Sequence, residues 1–82
     1  MKLEIITPET LFFSGEVDAV TLPGTLGSFQ ILKNHAPLIS SLTKGILSFM
    51  ADGRNRAMEV EDGFVEVHNN RITVCIDSVK GK

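Results

Sequence analysis

Apolar and polar residues alternate along much of this chain with a period of two. Leu3 and Ile5 stand against Lys2 and Glu4, and Val65 and Val67 against Glu66 and His68. Such alternation places successive side chains on opposite faces of a strand, one toward a core and the other toward water. Turn signals recur about every ten residues, at Pro8-Glu9, Ser14-Gly15, Pro23-Gly24, Asn34-His35, Lys44-Gly45, Asp52-Gly53, Asp62-Gly63 and Asn69-Asn70. That rhythm predicts a small all-β sandwich or barrel. Two hairpins stand out. Phe64 to His68 and Arg71 to Ile76 flank Asn69-Asn70, whose residues tolerate the positive φ of a two-residue turn, and Ile46 to Ala51 and Arg54 to Val60 flank Asp52-Gly53. Pro37 to Leu42 carries β-branched residues beside a proline and reads as a further strand. No segment of ten or more residues has helical periodicity, and no repeat, low-complexity tract or linker divides the chain.

Composition narrows the classes. The 82 residues form one domain, 1–82, and 43% hydrophobic with 22% charged residues is ordinary globular usage. A domain of this size buries only about 60% of the surface its unfolded chain exposes, so its stability margin is thin. A net charge of -2 with no run of Lys or Arg provides no electrostatic footprint for nucleic acid. Cys75 is the single cysteine, cannot form an internal disulfide, and sits in an apolar alternating run where it is expected to behave as a small buried hydrophobe. No apolar run approaches the roughly 18 residues of a membrane span, and Met1-Lys2-Leu3-Glu4 does not open a signal peptide. The expectation is a soluble, unexported chain that meets a membrane only through another protein.

Candidate chemistry is sparse. Gly24-Thr25-Leu26-Gly27-Ser28 has the glycines of a phosphate cradle but neither the lysine of a P-loop nor a following helix, so a structural turn is the better reading. His35, in Asn34-His35-Ala36-Pro37, has no nucleophile or orienting carboxylate at a catalytic spacing, which leaves a ring satisfied by loop backbone or a contact residue. Glu59, Glu61, Asp62 and Glu66 make the densest acidic region, with Glu59 and Glu61 on one parity as a solvated face. One cysteine and two distant histidines cannot supply a zinc site. Of the aromatics, Phe12, Phe13, Phe29, Phe49 and Phe64, most are expected in the core. Phe12 and Phe13 are adjacent, so one of them must face outward.

Several motifs occur together and in order: Leu3-Glu4-Ile5-Ile6-Thr7-Pro8-Glu9, Phe13-Ser14-Gly15-Glu16-Val17-Asp18, Leu22-Pro23-Gly24, His35-Ala36-Pro37-Leu38, Gly63-Phe64-Val65-Glu66-Val67 and Val74-Cys75-Ile76-Asp77-Ser78. In these the chain resembles the N-terminal domain of the epsilon subunit of F-type ATP synthase. The resemblance implies a flattened β-sandwich of about ten short strands. It also implies a non-catalytic rotor subunit without a cofactor, bound to the gamma subunit and the c ring at the cytoplasmic face of the bacterial inner membrane. Carried over by position, Gly27, Ser28 and Phe29 would face the c ring, and Thr7, His35 and Ser40 the gamma subunit. This chain departs from the pattern where Leu26 and Ser28 replace a common acidic residue, Gln30 a frequent glycine and Lys33 a frequent proline. In many family members a helical hairpin follows the last strand; its absence from these 82 residues implies an assembled enzyme that is coupled yet free of epsilon-type inhibition. Two other classes compete. A biotinyl or lipoyl carrier needs a lysine at a hairpin tip, and an unrelated interaction module needs only an exposed surface.

Overall fold

The computed structural model describes residues 1–80; Gly81 and Lys82, which close the expected domain, lie outside the described residues. Ten strands are described: β1 Lys2–Thr7, β2 Thr10–Glu16, β3 Ala19–Gly24, β4 Gly27–Leu32, β5 Leu38–Leu42, β6 Gly45–Ala51, β7 Arg54–Val60, β8 Gly63–His68, β9 Arg71–Ile76 and β10 Val79–Lys80. They hydrogen-bond in the order β10-β7-β6-β3-β5-β8-β9-β1-β2, with β4 on the other edge of β3. The pairing between β3 and β5 is the single position Gly24 with Leu42. There the sheet folds over on itself, so that β10-β7-β6-β3-β4 faces β5-β8-β9-β1-β2 as a flattened all-β sandwich.

Both expected hairpins form. β8 and β9 pair from Gly63 with Ile76 to His68 with Arg71, and the turn has φ of 52° at Asn69 and 59° at Asn70. β6 and β7 pair from Gly45 with Val60 to Ala51 with Arg54, around Asp52 at 53° and Gly53 at 73°. Positive φ at both central residues gives the turn the same twist as the strands it joins. β1 pairs parallel with β9, Lys2 with Arg71 through Ile6 with Cys75, which sets the first strand beside the ninth.

The period-two pattern delivers the core. Leu3 and Ile5, Val20 and Leu22, Leu47 and Phe49, Met58 and Val60, Val65 and Val67, and Ile72 and Val74 are buried and belong to one cluster. Among the described residues every fully buried side chain is apolar, while Glu61 is half-buried and carries one oxygen out of reach of solvent. Each large buried side chain contributes about 1.5–3 kcal/mol relative to exposure. Phe13 of β2 and Phe49 of β6 meet across the sandwich, their ring centroids 4.5 Å apart at 39°.

Three local expectations are corrected. Ser14-Gly15 lies within β2, paired with Glu4 and Leu3, and the chain turns at Val17-Asp18 instead. Pro23-Gly24 lies within β3, and the turn is Thr25-Leu26. Proline is tolerated there because β3 is passing from β6 to β5, where no partner strand needs its missing N–H and its carbonyl accepts from the Thr43 N–H at 2.9 Å. Cys75 is only half-buried, since Val74 and Ile76 take the inward parity and turn it to the outer face.

Candidate interaction surfaces

The outer face of the β5-β8-β9-β1-β2 half is assembled by register. Ser41 pairs with Phe64, Phe64 with Cys75, Cys75 with Ile6, and Ile6 with Leu11. The four members after Ser41 form an apolar row across four strands, with Phe64 and Leu11 about half exposed, and Ile39 stands beside the row on β5. A bulge completes its β2 end: Ile5 faces Phe13 whereas Ile6 faces Leu11, which leaves Phe12 as the extra residue. Phe12 therefore stays partly exposed while Phe13 packs inward on Phe49. Phe64 is likewise outside the core, so three of the five rings, Phe13, Phe29 and Phe49, serve the interior.

At one end of this row the Thr25-Leu26 turn projects. Thr25 donates its N–H to the Ser41 carbonyl at 3.3 Å, and the two hydroxyls lie 3.0 Å apart. The turn is thereby fastened to the strand that carries the row. Leu26 at its tip is fully exposed. Gly27 follows with a φ of 131°, Ser28 is exposed, and Phe29 turns inward opposite Leu22 to pack on the core.

Gly27, Ser28 and Phe29 thus adjoin one protruding tip, although Phe29 contributes mainly to packing. Thr7, His35 and Ser40 are not brought together. Thr7 ends β1, its hydroxyl donating to the Thr10 carbonyl at 3.3 Å. His35 sits at the opposite end of the same sheet half, in a loop clamped to the β8-β9 turn. The Asn34 N–H donates to Asn70 Oδ1 at 2.7 Å, and Asn70 Nδ2 donates to Asn34 Oδ1 at 3.1 Å. The His35 N–H donates to the Leu32 carbonyl at 3.1 Å, and its Nδ1 lies 2.8 Å from the Ala36 carbonyl, which occupies one ring nitrogen locally. Ser40 is half-buried, shares the inward parity of its partner Val65, and donates to the Ser41 carbonyl at 3.2 Å.

Among the described residues no group of three or more His, Cys, Asp or Glu side chains could hold a metal ion. Glu59 and Glu61 flank the buried Val60 on the outward parity, and Asp62 and Glu66 are exposed. What the geometry offers is a surface for contact: a row of four apolar side chains and, beyond the polar Ser41 and Thr25, a protruding leucine. The row was hidden in the sequence because its members come from four strands. A partial signal existed, since the inward Val65 and Val74 fix Phe64 and Cys75 as outward.

The profile of the ATP synthase Delta/Epsilon chain beta-sandwich domain matches residues 1–82. The chain belongs to that family. Relatives named ATP synthase epsilon chain agree: the protein of Symbiobacterium thermophilum is 47% identical over 98% of this chain and 58% of its own length. That of Leptospira interrogans serovar Lai is 42% identical over 94% of this chain and 61% of its own. That of Chlorobium limicola is 43% identical over 95% and 90%. The chain therefore spans about three fifths of most of the relatives named here. The Delta/Epsilon fold recurs in a chain of the Euglena gracilis mitochondrial ATP synthase structure, "OSCP/F1/c-ring", with a TM-score of 0.88 at 20% identity over 94% of this chain and 50% of that one. A chain of the Tetrahymena thermophila "central stalk/cring" structure matches with a TM-score of 0.82 at 15% identity over 95% and 63%.

Proposed function

We propose that this chain is a non-catalytic rotor subunit of the central stalk of an F-type ATP synthase, binding the gamma subunit through its outer apolar face and the c ring through its Thr25-Leu26 turn. In that place it helps to couple ion transport to ATP synthesis and lies peripheral to the membrane, on the cytoplasmic face of the bacterial inner membrane, reaching it only through the c ring. The observation that carries the reading is the apolar row of Phe64, Cys75, Ile6 and Leu11, tied to the turn that bears the exposed Leu26 by the Thr25-Ser41 hydroxyl pair. A face that feels the gamma subunit and a tip that feels the ring must be mechanically one body to carry torque. Here they are joined by hydrogen bonds at the fold between the two sheet halves.

A stable interface buries at least about 1,000 Å² in total. The row alone is too small for that, and the tip and Ile39 extend it. Leu26 and Ser28 put an apolar and a neutral residue at the tip, so contact there rests on packing rather than on an ion pair.

Crosslinking tests the reading. In a Cys75→Ala background, Ser28→Cys is expected to crosslink to a c subunit and Ile39→Cys to the gamma subunit within the assembled enzyme. Crosslinking of both to the same subunit would overturn the division of surfaces. Failure of the chain to co-purify with gamma would overturn the function.

A further inference from the structure

We propose that the outer edge of β4 is a docking site for a second copy of this chain, the two β4 strands pairing antiparallel about a two-fold axis at Phe29 so that Ser28 of each lies opposite Gln30 of the other.

The edge is defined by the pairing within the chain. Gly24 and Gly27 close the two-residue Thr25-Leu26 turn and so form a hydrogen-bonded pair, which directs the backbone groups of Gly27, Phe29 and Ile31 toward β3. Those of Ser28, Gln30 and Leu32 point the other way. Two contacts agree. The Pro23 carbonyl, across from Ser28, is turned away from β4 and accepts from the Thr43 N–H, and the Leu32 carbonyl stands outside the ladder and accepts from the His35 N–H. Among the described residues β3 is the only strand paired with β4, which lies at the margin of its sheet half remote from β10. Ser28 and Gln30, both exposed, therefore present two N–H and two C=O groups in a row to solvent.

Nothing in the strand discourages addition. Edge strands are ordinarily guarded by charge, proline or a bulge. β2, at the margin of the other half, has a bulge at Phe12 and the charge of Glu16. β4 reads Gly27-Ser28-Phe29-Gln30-Ile31-Leu32, without a charge or a proline, and its register with β3 is unbroken.

The edge also selects its partner, because a strand identical to β4 satisfies all four backbone groups in a single register. With Ser28 opposite Gln30 of the second copy, each of the two pairs exchanges both of its hydrogen bonds. A shift of two residues either way leaves only one such pair. Ser28 opposite itself sets Gln30 against Leu26 in the turn, and Gln30 opposite itself sets Ser28 against Leu32, whose carbonyl is taken by His35. In the matching register the side chains agree as well. The Ser28 hydroxyl faces the Gln30 amide, Phe29 meets its counterpart where facing side chains come closest, Gly27 leaves room for Ile31, and the fully exposed Leu26 approaches the half-exposed Leu32. Lys33, the charge that follows the strand, is four residues from the axis, so the two lysines stand about 26 Å apart. The surface covered is at the small end of specific interfaces, which makes the pairing weak and reversible. A chain paired in this way cannot also rest Leu26 on the c ring. That consequence rests on the rotor reading; the pairing itself does not.

The test uses the folded chain alone. Sedimentation equilibrium is expected to show monomer at about 10 μM and mostly dimer at about 1 mM. Over the same range the Ser28 and Gln30 amides are expected to gain protection from hydrogen exchange. Both side chains point to solvent, so Ser28→Lys/Gln30→Lys should keep the far-ultraviolet spectrum while it sets lysine against lysine at both pairs and weakens the dimer at least about tenfold. Ser28→Lys/Gln30→Glu sets lysine against glutamate in the proposed register and like charges at the axis in either shifted one. It should dimerise at least as tightly as the unmodified chain, and lose that advantage as salt rises. A chain that stays monomeric at the upper concentration, protection at another edge, or a dimer unmoved by the two added lysines would each overturn the proposal. Equal weakening by both variants would do the same, because it removes the register. With neither gamma nor c subunits present, these outcomes are independent of the rotor assignment.

Discussion

Gly27 carries a φ of 131° in open space, where an added Cβ would meet nothing within 4 Å. A substitution there is opposed by backbone strain alone. Gly27→Val is expected to cost about 1–3 kcal/mol, the usual range for a residue forced into a glycine-only region, read as a lower midpoint in thermal denaturation. Gly63 is the opposite case: its Cβ would press on the Cys75 carbonyl and on Ile76 of the neighbouring strand. Phe49 is 1% exposed and joins β6 to Phe13 on the far sheet half. Phe49→Ala should remove about 3–5 kcal/mol, which for a domain with so thin a margin leaves a largely unfolded population, visible as lost dispersion in an NMR spectrum.

At the level of elements, the β8-β9 turn has two separable jobs. Positive φ at Asn69 and Asn70 closes the hairpin, and the Asn70 side chain exchanges two hydrogen bonds with Asn34 across the gap to the β4-β5 loop. Asn70→Gly keeps the first and removes the second. The hairpin should therefore persist while the loop that holds His35 loosens, with faster hydrogen exchange at Asn34 and a stability loss of about 0.5–1.5 kcal/mol per hydrogen bond removed. Slowed or unchanged exchange at Asn34 would show that the loop is held by something else. The bulge at Phe12 is a second such device. By inserting one residue it lets β2 turn Phe13 to the core and Leu11 to the outer row.

For the molecule as a whole, surface and core can be perturbed independently. Leu26 is fully exposed at the tip of its turn, so Leu26→Asp should change folding stability by no more than about 0.5 kcal/mol. If the turn rests on the c ring, the same change should weaken assembly with the ring, measured by co-sedimentation of the reconstituted complex, because it sets a charge in a contact built on packing. Unchanged assembly would remove Leu26 from the contact. The parallel pairing of β1 with β9 closes nearly the whole chain into one loop before it returns any contact. Refolding is accordingly expected on the millisecond-to-second scale of non-local β topologies, measured by stopped-flow.

Local chemistry determined much of this protein. The alternation around Leu3, Ile5, Val65 and Val67 selected the inward residues because side-chain direction in a strand depends only on parity. The Asn69-Asn70 and Asp52-Gly53 pairs selected the two hairpins because few residues accept positive φ. The ordered motifs from Thr7-Pro8 to Ile76-Asp77 carried the family. Other features depended on which strand lies beside which. Pro23-Gly24 and Ser14-Gly15 look like turns but lie in strands, because their neighbours in the sheet leave the proline nitrogen unneeded and extend β2 past the glycine. The apolar row from Phe64 to Leu11, the separation of Thr7 from His35, and the place of Arg56 over Phe13 follow from register between strands distant in the sequence. Register is fixed by long-range pairing and a shared core, and no short stretch of sequence contains either.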